Sequence, residues 1–234
     1  MAKHMYGVIK MQLHSFSEAP LLTEDLVDQL TKILCDAVKQ RGYAYLVVSG
    51  GKTPIDLFKA LAKTDIPWSN VTVTLADERC VPVHDPERNE HLVRQFLLQN
   101  HASKAHFLSL YNEGHSIEKT ERIIASLPTF DAVVLGMGED GHTASLFPCA
   151  DELVEGLDDH AAAVLRVSPK KAPHQRISLS KKRLLNSRVI FFHLVGPKKL
   201  AVLHQAMAEH DPMVMPVSAF LNNEDANVQV LYAP

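Results

Sequence analysis

Leu22, Leu26, Leu30, Ile33, Leu34 and Ala37 recur at steps of three and four residues. That spacing predicts an amphipathic helix, and Gly42 predicts its stop. Ala44 to Val48 is then apolar without a break, the mark of a strand buried on both faces. Gly50-Gly51-Lys52-Thr53-Pro54 interrupts the run. Thr53 is predicted as a helix N-cap, Pro54 as the first helical residue and Asp56 as the closing member of a capping box. Leu57, Phe58 and Leu61 would carry that helix.

Val71, Val73 and Leu75 alternate with threonines and predict a strand ending at Asp77-Glu78-Arg79. Asn89 is placed to cap a helix through Leu92, Val93, Phe96 and Leu97, and Ser116 one through Ile123, Ile124 and Leu127. Asp131 to Leu135 predicts a third buried strand, running into Gly136-Met137-Gly138. Val164–Val167 and Ile177–Leu179 read as shorter strands, Val189–Val195 as a long one and Val228–Leu231 as a terminal one. Gly196-Pro197 opens a helix through Leu200, Leu203 and Met207. Strands alternating with helices predict an α/β fold: an open, mainly parallel, Rossmann-like sheet with helices on both faces. One domain spanning 1–234 is expected, with the less regular stretch 141–176 forming a small lobe or lid.

Of the 234 residues, 46% are hydrophobic and 22% charged, enough for a sizeable core. The formal charge of −3 offers no broad basic field for nucleic acid or an acidic membrane, so anion recognition has to be local. Three cysteines without a CxxC pair are neither a disulfide framework nor a zinc site. Met1 to Lys10 lacks the apolar run of a signal peptide, and no stretch approaches a membrane span, so a soluble, cytoplasmic protein is expected. Most of the thirteen histidines sit at spacings that do not match paired ligands.

Four segments directly follow apolar strands: Ser49–Thr53, Asp77–Arg79, Gly136–Ser145 and Gly196–Lys198. In open parallel sheets ligands bind at such carboxyl ends. Gly50-Gly51 would allow positive φ and close approach to an oxyanion, with hydroxyls from Ser49 and Thr53 and a helix N-terminus behind them. The loop lacks Walker A spacing, and an ordinary strand–helix turn reads equally well. Asp77-Glu78-Arg79 brings three charges together; Arg79 could hold a phosphate bidentately, or the triplet could be a surface ion cluster. Arg176 and Lys198 are further candidate anion contacts.

The richest segment is Gly136-Met137-Gly138-Glu139-Asp140-Gly141-His142-Thr143-Ala144-Ser145. His142 is the natural proton carrier near neutral pH, and Asp140 or Glu139 could orient it. The segment also contains GxGxxG, but two acidic residues inside it would repel a pyrophosphate. Asp140 and His142 alone are too few for a metal.

Taken in order, Ser49-Gly50-Gly51-x-Thr53-Pro54, Asp77-Glu78-Arg79-x-Val81-Pro82, Gly136-Met137-Gly138-x-Asp140-Gly141-His142-Thr143-Ala144-Ser145-Leu146-Phe147-Pro148 and Arg176-Ile177-x-Leu179 closely resemble the 6-phosphogluconolactonase family. The resemblance runs from about Phe16 to the C-terminus. It implies a fold shared with glucosamine-6-phosphate deaminase, and hydrolysis of 6-phosphoglucono-δ-lactone to 6-phosphogluconate in the oxidative pentose phosphate pathway. It implies no metal and no organic cofactor. Its expected partner is a small phosphosugar lactone, with no nucleic acid or membrane, and a monomer is the expected form. By position, His142 becomes the general base and Asp140 its orienting partner. Ser49, Gly50, Gly51, Thr53, Asp77, Arg79, Arg176 and Lys198 become phosphate or substrate contacts. Lys52 and Arg88 depart from the family pattern; Lys52 would add a cation or face solvent, and Arg88 would reshape the rim. A glucosamine-6-phosphate deaminase/isomerase and a non-catalytic sugar-phosphate sensor are the competing readings.

Overall fold

The computed structural model describes residues 11–114 and 116–234. The segment read for targeting, Met1 to Lys10, lies outside them. The chain runs β1 (Gln12–Ser15), α1 (Ala19–Arg41), β2 (Ala44–Val48), α2 (Ile55–Leu61), β3 (Val71–Leu75), β4 (Asp77–Arg79), α3 (Asn89–Phe96), β5 (His106–Leu108) and α4 (Ile117–Ser126). It continues through β6 (Ala132–Leu135), α5 (Leu153–Leu157), β7 (Val164–Val167), β8 (Arg176–Leu179), α6 (Lys181–Leu185), β9 (Ile190–Val195), α7 (Pro197–Ala208), α8 (Ser218–Leu221) and β10 (Val228–Ala233).

The apolar stripe of α1 is buried at Leu22, Leu26, Leu30, Leu34 and Ala37. Gly42 ends the helix in the left-handed region at φ 82°, its N–H donating to the Val38 carbonyl at 2.8 Å. That geometry suits glycine and satisfies a terminal carbonyl. Seven strands form one wholly parallel sheet in the order β1-β10-β9-β6-β2-β3-β5. The central strands β2, β6 and β9 are buried along almost their whole length, so both faces are covered. Helix α1 lies over β2, β6 and β10, and α7 packs on β9 and β10. The Trp68, Phe58, Phe130, Phe191 and Phe192 side chains are fully buried around the sheet. Each such side chain contributes about 1.5–3 kcal/mol of burial.

The strand order fixes where a ligand can go. From β2 the chain moves outward through β3 to β5, then returns to the other side of β2 at β6 and moves outward through β9 to β10. The reversal makes a crevice at the carboxyl ends of β2 and β6.

Several local expectations are corrected. Helix α2 begins at Ile55, with Pro54 in the N-cap position and no side-chain cap, so Thr53 does not cap it. Asn89 is the first residue of α3 rather than its cap. Asp77–Arg79 is not the end of the preceding strand. It is a strand of its own, in a second, three-stranded antiparallel sheet ordered β4-β8-β7. The two short strands read at 164–167 and 177–179 belong to this small sheet too. Ala76 joins the layers: its N–H donates to the Val48 carbonyl at 2.9 Å, and its carbonyl accepts from the Leu179 N–H at 2.9 Å. The 141–176 stretch, expected as a lobe or lid, contributes β7 and the first residue of β8 to this sheet.

Candidate active site

A cleft of about 220 Å³ opens at the β2/β6 crevice. One end is lined by Ser49, Gly50, Gly51 and Thr53 from the β2–α2 turn, with Asp77 and Arg79 from β4 and Arg176 from β8. The other is lined by Gly136, Met137, Gly138 and His142 after β6.

At the second end, Asp140 Oδ1 lies 2.5 Å from His142 Nδ1 and also accepts the His142 backbone N–H at 3.2 Å. The hydrogen bond from His142 holds the Asp140 carboxyl below its ordinary value. An ionised carboxylate only accepts, so Nδ1 is the donor in this bond, and in the neutral imidazole the lone pair is then on Nε2. The imidazole lies against the Phe147 ring, centroids 4.2 Å apart and planes tilted by 32°. Close packing of this dyad requires Gly138. A Cβ there would sit 2.1 Å from His142 Nδ1 and 2.6 Å from Asp140 Oδ1. Asp140 itself stands behind the imidazole rather than lining the cleft.

At the first end the small sheet supplies the charge. Arg79 and Arg176 are direct partners in the β4–β8 register. Like charges opposite one another repel, and burial is the main reason the Arg176 pKa is lowered, with Arg79 adding to it. Arg176 Nη1 lies 3.7 Å from Asp77 Oδ2, and its guanidinium carbon lies over the Phe147 ring, 5.2 Å from the centroid. Arg79 donates from Nη1 to the Glu87 carbonyl at 2.5 Å. Arg79 Nε, Arg176 Nε and Ser49 Oγ are buried with no hydrogen-bond partner among the described residues. Two adjacent guanidiniums with unsatisfied donors fit an anion with several oxygens. Asp77 is fixed by Ser145 Oγ at 2.5 Å.

Lys198 is exposed and does not line the cleft; Lys199 does, with Nζ donating to the Met137 carbonyl at 2.7 Å. Lys52 is exposed and outside the cleft. Arg88 is no rim residue: it is 2% exposed and bonded to Glu90 Oε2 at 2.8 Å and to the Val81 carbonyl at 3.3 Å. The sequence reading missed Asn89, Lys199 and His193 as lining residues. The signal for Lys199 is its phase, four residues before Leu203 and seven before Ala206 on the buried stripe of α7. His193 is 4% exposed, and neither ring nitrogen has a partner among the described residues. Burial pushes its pKa down to about 4, so the ring is neutral.

Among the described residues no group of three or more His, Cys, Asp or Glu side chains is placed to hold a metal ion. No helix among them is long and apolar enough to cross a membrane.

Known proteins share this arrangement of sheet and sequence. The chain is 38% identical over 220 residues to a 6-phosphogluconolactonase of Pseudomonas putida, covering 91% of this chain and 90% of that one. The crystal structure of a 6-phosphogluconolactonase from Shewanella baltica matches with a TM-score of 0.93 at 43% identity, over 97% of this chain and 100% of that one. A monomeric glucosamine-6-phosphate deaminase shares the fold, with a TM-score of 0.78 at 17% identity over 95% of this chain and 97% of its own. Residues 17–230 match the model of the family described as glucosamine-6-phosphate isomerases/6-phosphogluconolactonase, and the chain belongs to that family.

Proposed function

We propose that this protein is a 6-phosphogluconolactonase, hydrolysing 6-phosphoglucono-δ-lactone to 6-phosphogluconate in the oxidative pentose phosphate pathway. One observation carries the mechanism: a carboxylate-held imidazole and a facing pair of guanidiniums line the same cleft. The lactone phosphate binds at the Arg79–Arg176 end, against the Gly50-Gly51 turn and the Ser49 and Thr53 hydroxyls, with Lys199 rather than Lys198 as a further cation. Asp77 orders Arg176 and the substrate side of β4. Binding at the phosphate places C1 near His142, and this remote binding energy orients the reacting carbon.

A lactone is an activated ester and needs modest help. His142 Nε2 takes a proton from water as the water oxygen bonds to C1, and Asp140 stabilises the imidazolium. The tetrahedral oxyanion is met by nearby N–H groups or a cation. As the bond from C1 to the ring oxygen breaks, the imidazolium returns its proton to that oxygen, leaving the open-chain acid. None of these steps uses a metal or an organic cofactor. The reading extends to a cytoplasmic, monomeric enzyme whose partner is this small phosphosugar, without nucleic acid or membrane.

The test is turnover by the purified chain of two substrates. Rapid hydrolysis of the phosphorylated lactone with no ammonia from glucosamine 6-phosphate is the expected result. Ammonia release without lactone hydrolysis would make it a deaminase. Binding of 6-phosphogluconate with neither turnover would make it a sensor.

A further inference from the structure

The Glu78 carboxylate sits in the interior, held by three backbone N–H groups, and the mechanism above does not use it. It is fully buried. Oε1 accepts the backbone N–H of Arg79 at 2.6 Å and of Asn89 at 2.8 Å. Oε2 accepts the backbone N–H of Glu90 at 2.7 Å and lies 3.8 Å from Arg88 Nε. Asn89 and Glu90 are the first two residues of α3, whose own N-cap, Arg88, provides no side-chain cap. A helix start leaves such N–H groups unpaired, and an anion there is favoured by their aligned dipoles. Glu78 therefore caps α3 from another element, eleven residues before the helix's first residue.

The cap joins three parts of the cleft. Arg79 follows Glu78 directly and is tied to it through its own N–H. Asn89, held by Oε1, donates from its side chain to the Asp77 carbonyl at 2.9 Å. The same side chain lies against Gly50, so closely that a Cβ at Gly50 would be 1.9 Å from Asn89 Oδ1. Arg79, Asn89, Asp77 and Gly50 all line the cleft. The buried Arg88 closes the excursion from the back through Glu90 Oε2.

We infer that Glu78 is a positioning residue for substrate binding: by capping α3 while holding the Arg79 N–H, it sets Arg79 and Asn89 against the Gly50 turn. It touches no substrate and acts only through those neighbours. This rests on the proposal that the substrate phosphate binds at that end. A carboxylate whose only role is in the core would lower the folded fraction when replaced, and would leave the affinity of the remaining folded enzyme alone. A positioning residue shifts affinity and spares the chemical step, because Asp140 and His142 stand on a different loop.

Burial pushes the Glu78 carboxyl up, to about 7, against the pull of the three N–H groups. Assays at about pH 8 keep it ionised. The experiment measures kcat and KM for the phosphorylated lactone, and Ki for inorganic phosphate, in wild type, Glu78→Gln, Glu78→Asp and Arg79→Ala. Glu78→Gln turns one acceptor into a donor facing backbone N–H groups. KM and Ki are expected to rise together by about tenfold, with kcat within about threefold of wild type. Glu78→Asp keeps the charge but retreats by one methylene; it shifts KM and Ki in the same direction by less, and it carries the test if Glu78→Gln does not fold. A fall in kcat with KM and Ki unchanged, or no change in any of the three, overturns the assignment. If Arg79→Ala raises KM and Ki while the Glu78 variants do not, Glu78 is not a positioning residue and the phosphate site stands. If Arg79→Ala leaves both unchanged, the phosphate site is misplaced and this inference falls with it.

Discussion

The two ends of the cleft are built in opposite ways. The proposed base end is local: Asp140 and His142 are two residues apart, half-exposed, and bonded to one another within a single glycine-rich loop. The proposed anion end is assembled from distant pieces: Arg79 and Arg176 meet only because β4 and β8 pair, and Asn89 reaches back to Asp77 across a buried polar network. A proton carrier has to be reachable and needs one well-placed partner. An anion site needs several donors converging from different directions, and the fold must hold mutually repelling cations in place before the substrate arrives. Substitutions at one end should therefore change kcat, and at the other KM.

The largest effect short of removing the base is expected from Asp140→Asn. The neutral amide no longer stabilises the imidazolium, and kcat should fall by about 10²-fold or more with KM little changed, as steady-state kinetics will show. A proportional rise in KM would blur the division between the ends. Arg176→Ala removes a charge-assisted donor from the other end. KM should rise about 10- to 100-fold, corresponding to about 1.5–3 kcal/mol, with a much smaller change in kcat. Lys199→Ala should raise KM by several-fold, whereas Lys198→Ala, at an exposed position, should leave it unchanged.

The smallest effect at assay pH concerns His193. Its folded pKa of about 4 lies below the ordinary imidazole value of about 6.5, so the folded state binds fewer protons than the unfolded one. Its contribution is intact above about pH 6.5 and is lost as pH falls toward 4, by about 3 kcal/mol at most. Denaturant titrations should show wild type losing stability relative to His193→Leu across that window as pH falls. Parallel pH profiles would remove His193 as the source.

This contrast also decides what the sequence disclosed. The Asp140–His142 pairing was legible because the two residues lie close together in the chain, and because the strand before them is an unbroken apolar run. The parallel core was legible for the same reason. In the small sheet β7 and β8 were legible but β4 was not: Asp77, Glu78 and Arg79 carry no apolar alternation, and Asp77 and Glu78 are nonetheless buried where β8 pairs with them. β1 and β5 are short and partly exposed, and leave no period to read. Asn89 looked like a helix cap because its type suits one; its side chain is engaged with Asp77 and its N–H with Glu78. The lysine read as a contact, Lys198, is one residue from the one that lines the cleft, which on a helix is a rotation of about 100°. The apolar phase of α7, with Leu203 and Ala206 buried, points to Lys199.

The central claim is that His142 performs the proton transfer while the opposite end binds the phosphate. The most direct measurement is the kinetics of purified His142→Ala on the phosphorylated lactone, with Ki for inorganic phosphate measured on the same preparation. The account predicts a fall in kcat of about 10²–10⁴-fold with KM and Ki within a few-fold of wild type. Near-normal kcat, or a loss of activity that comes entirely through KM and Ki, would contradict it.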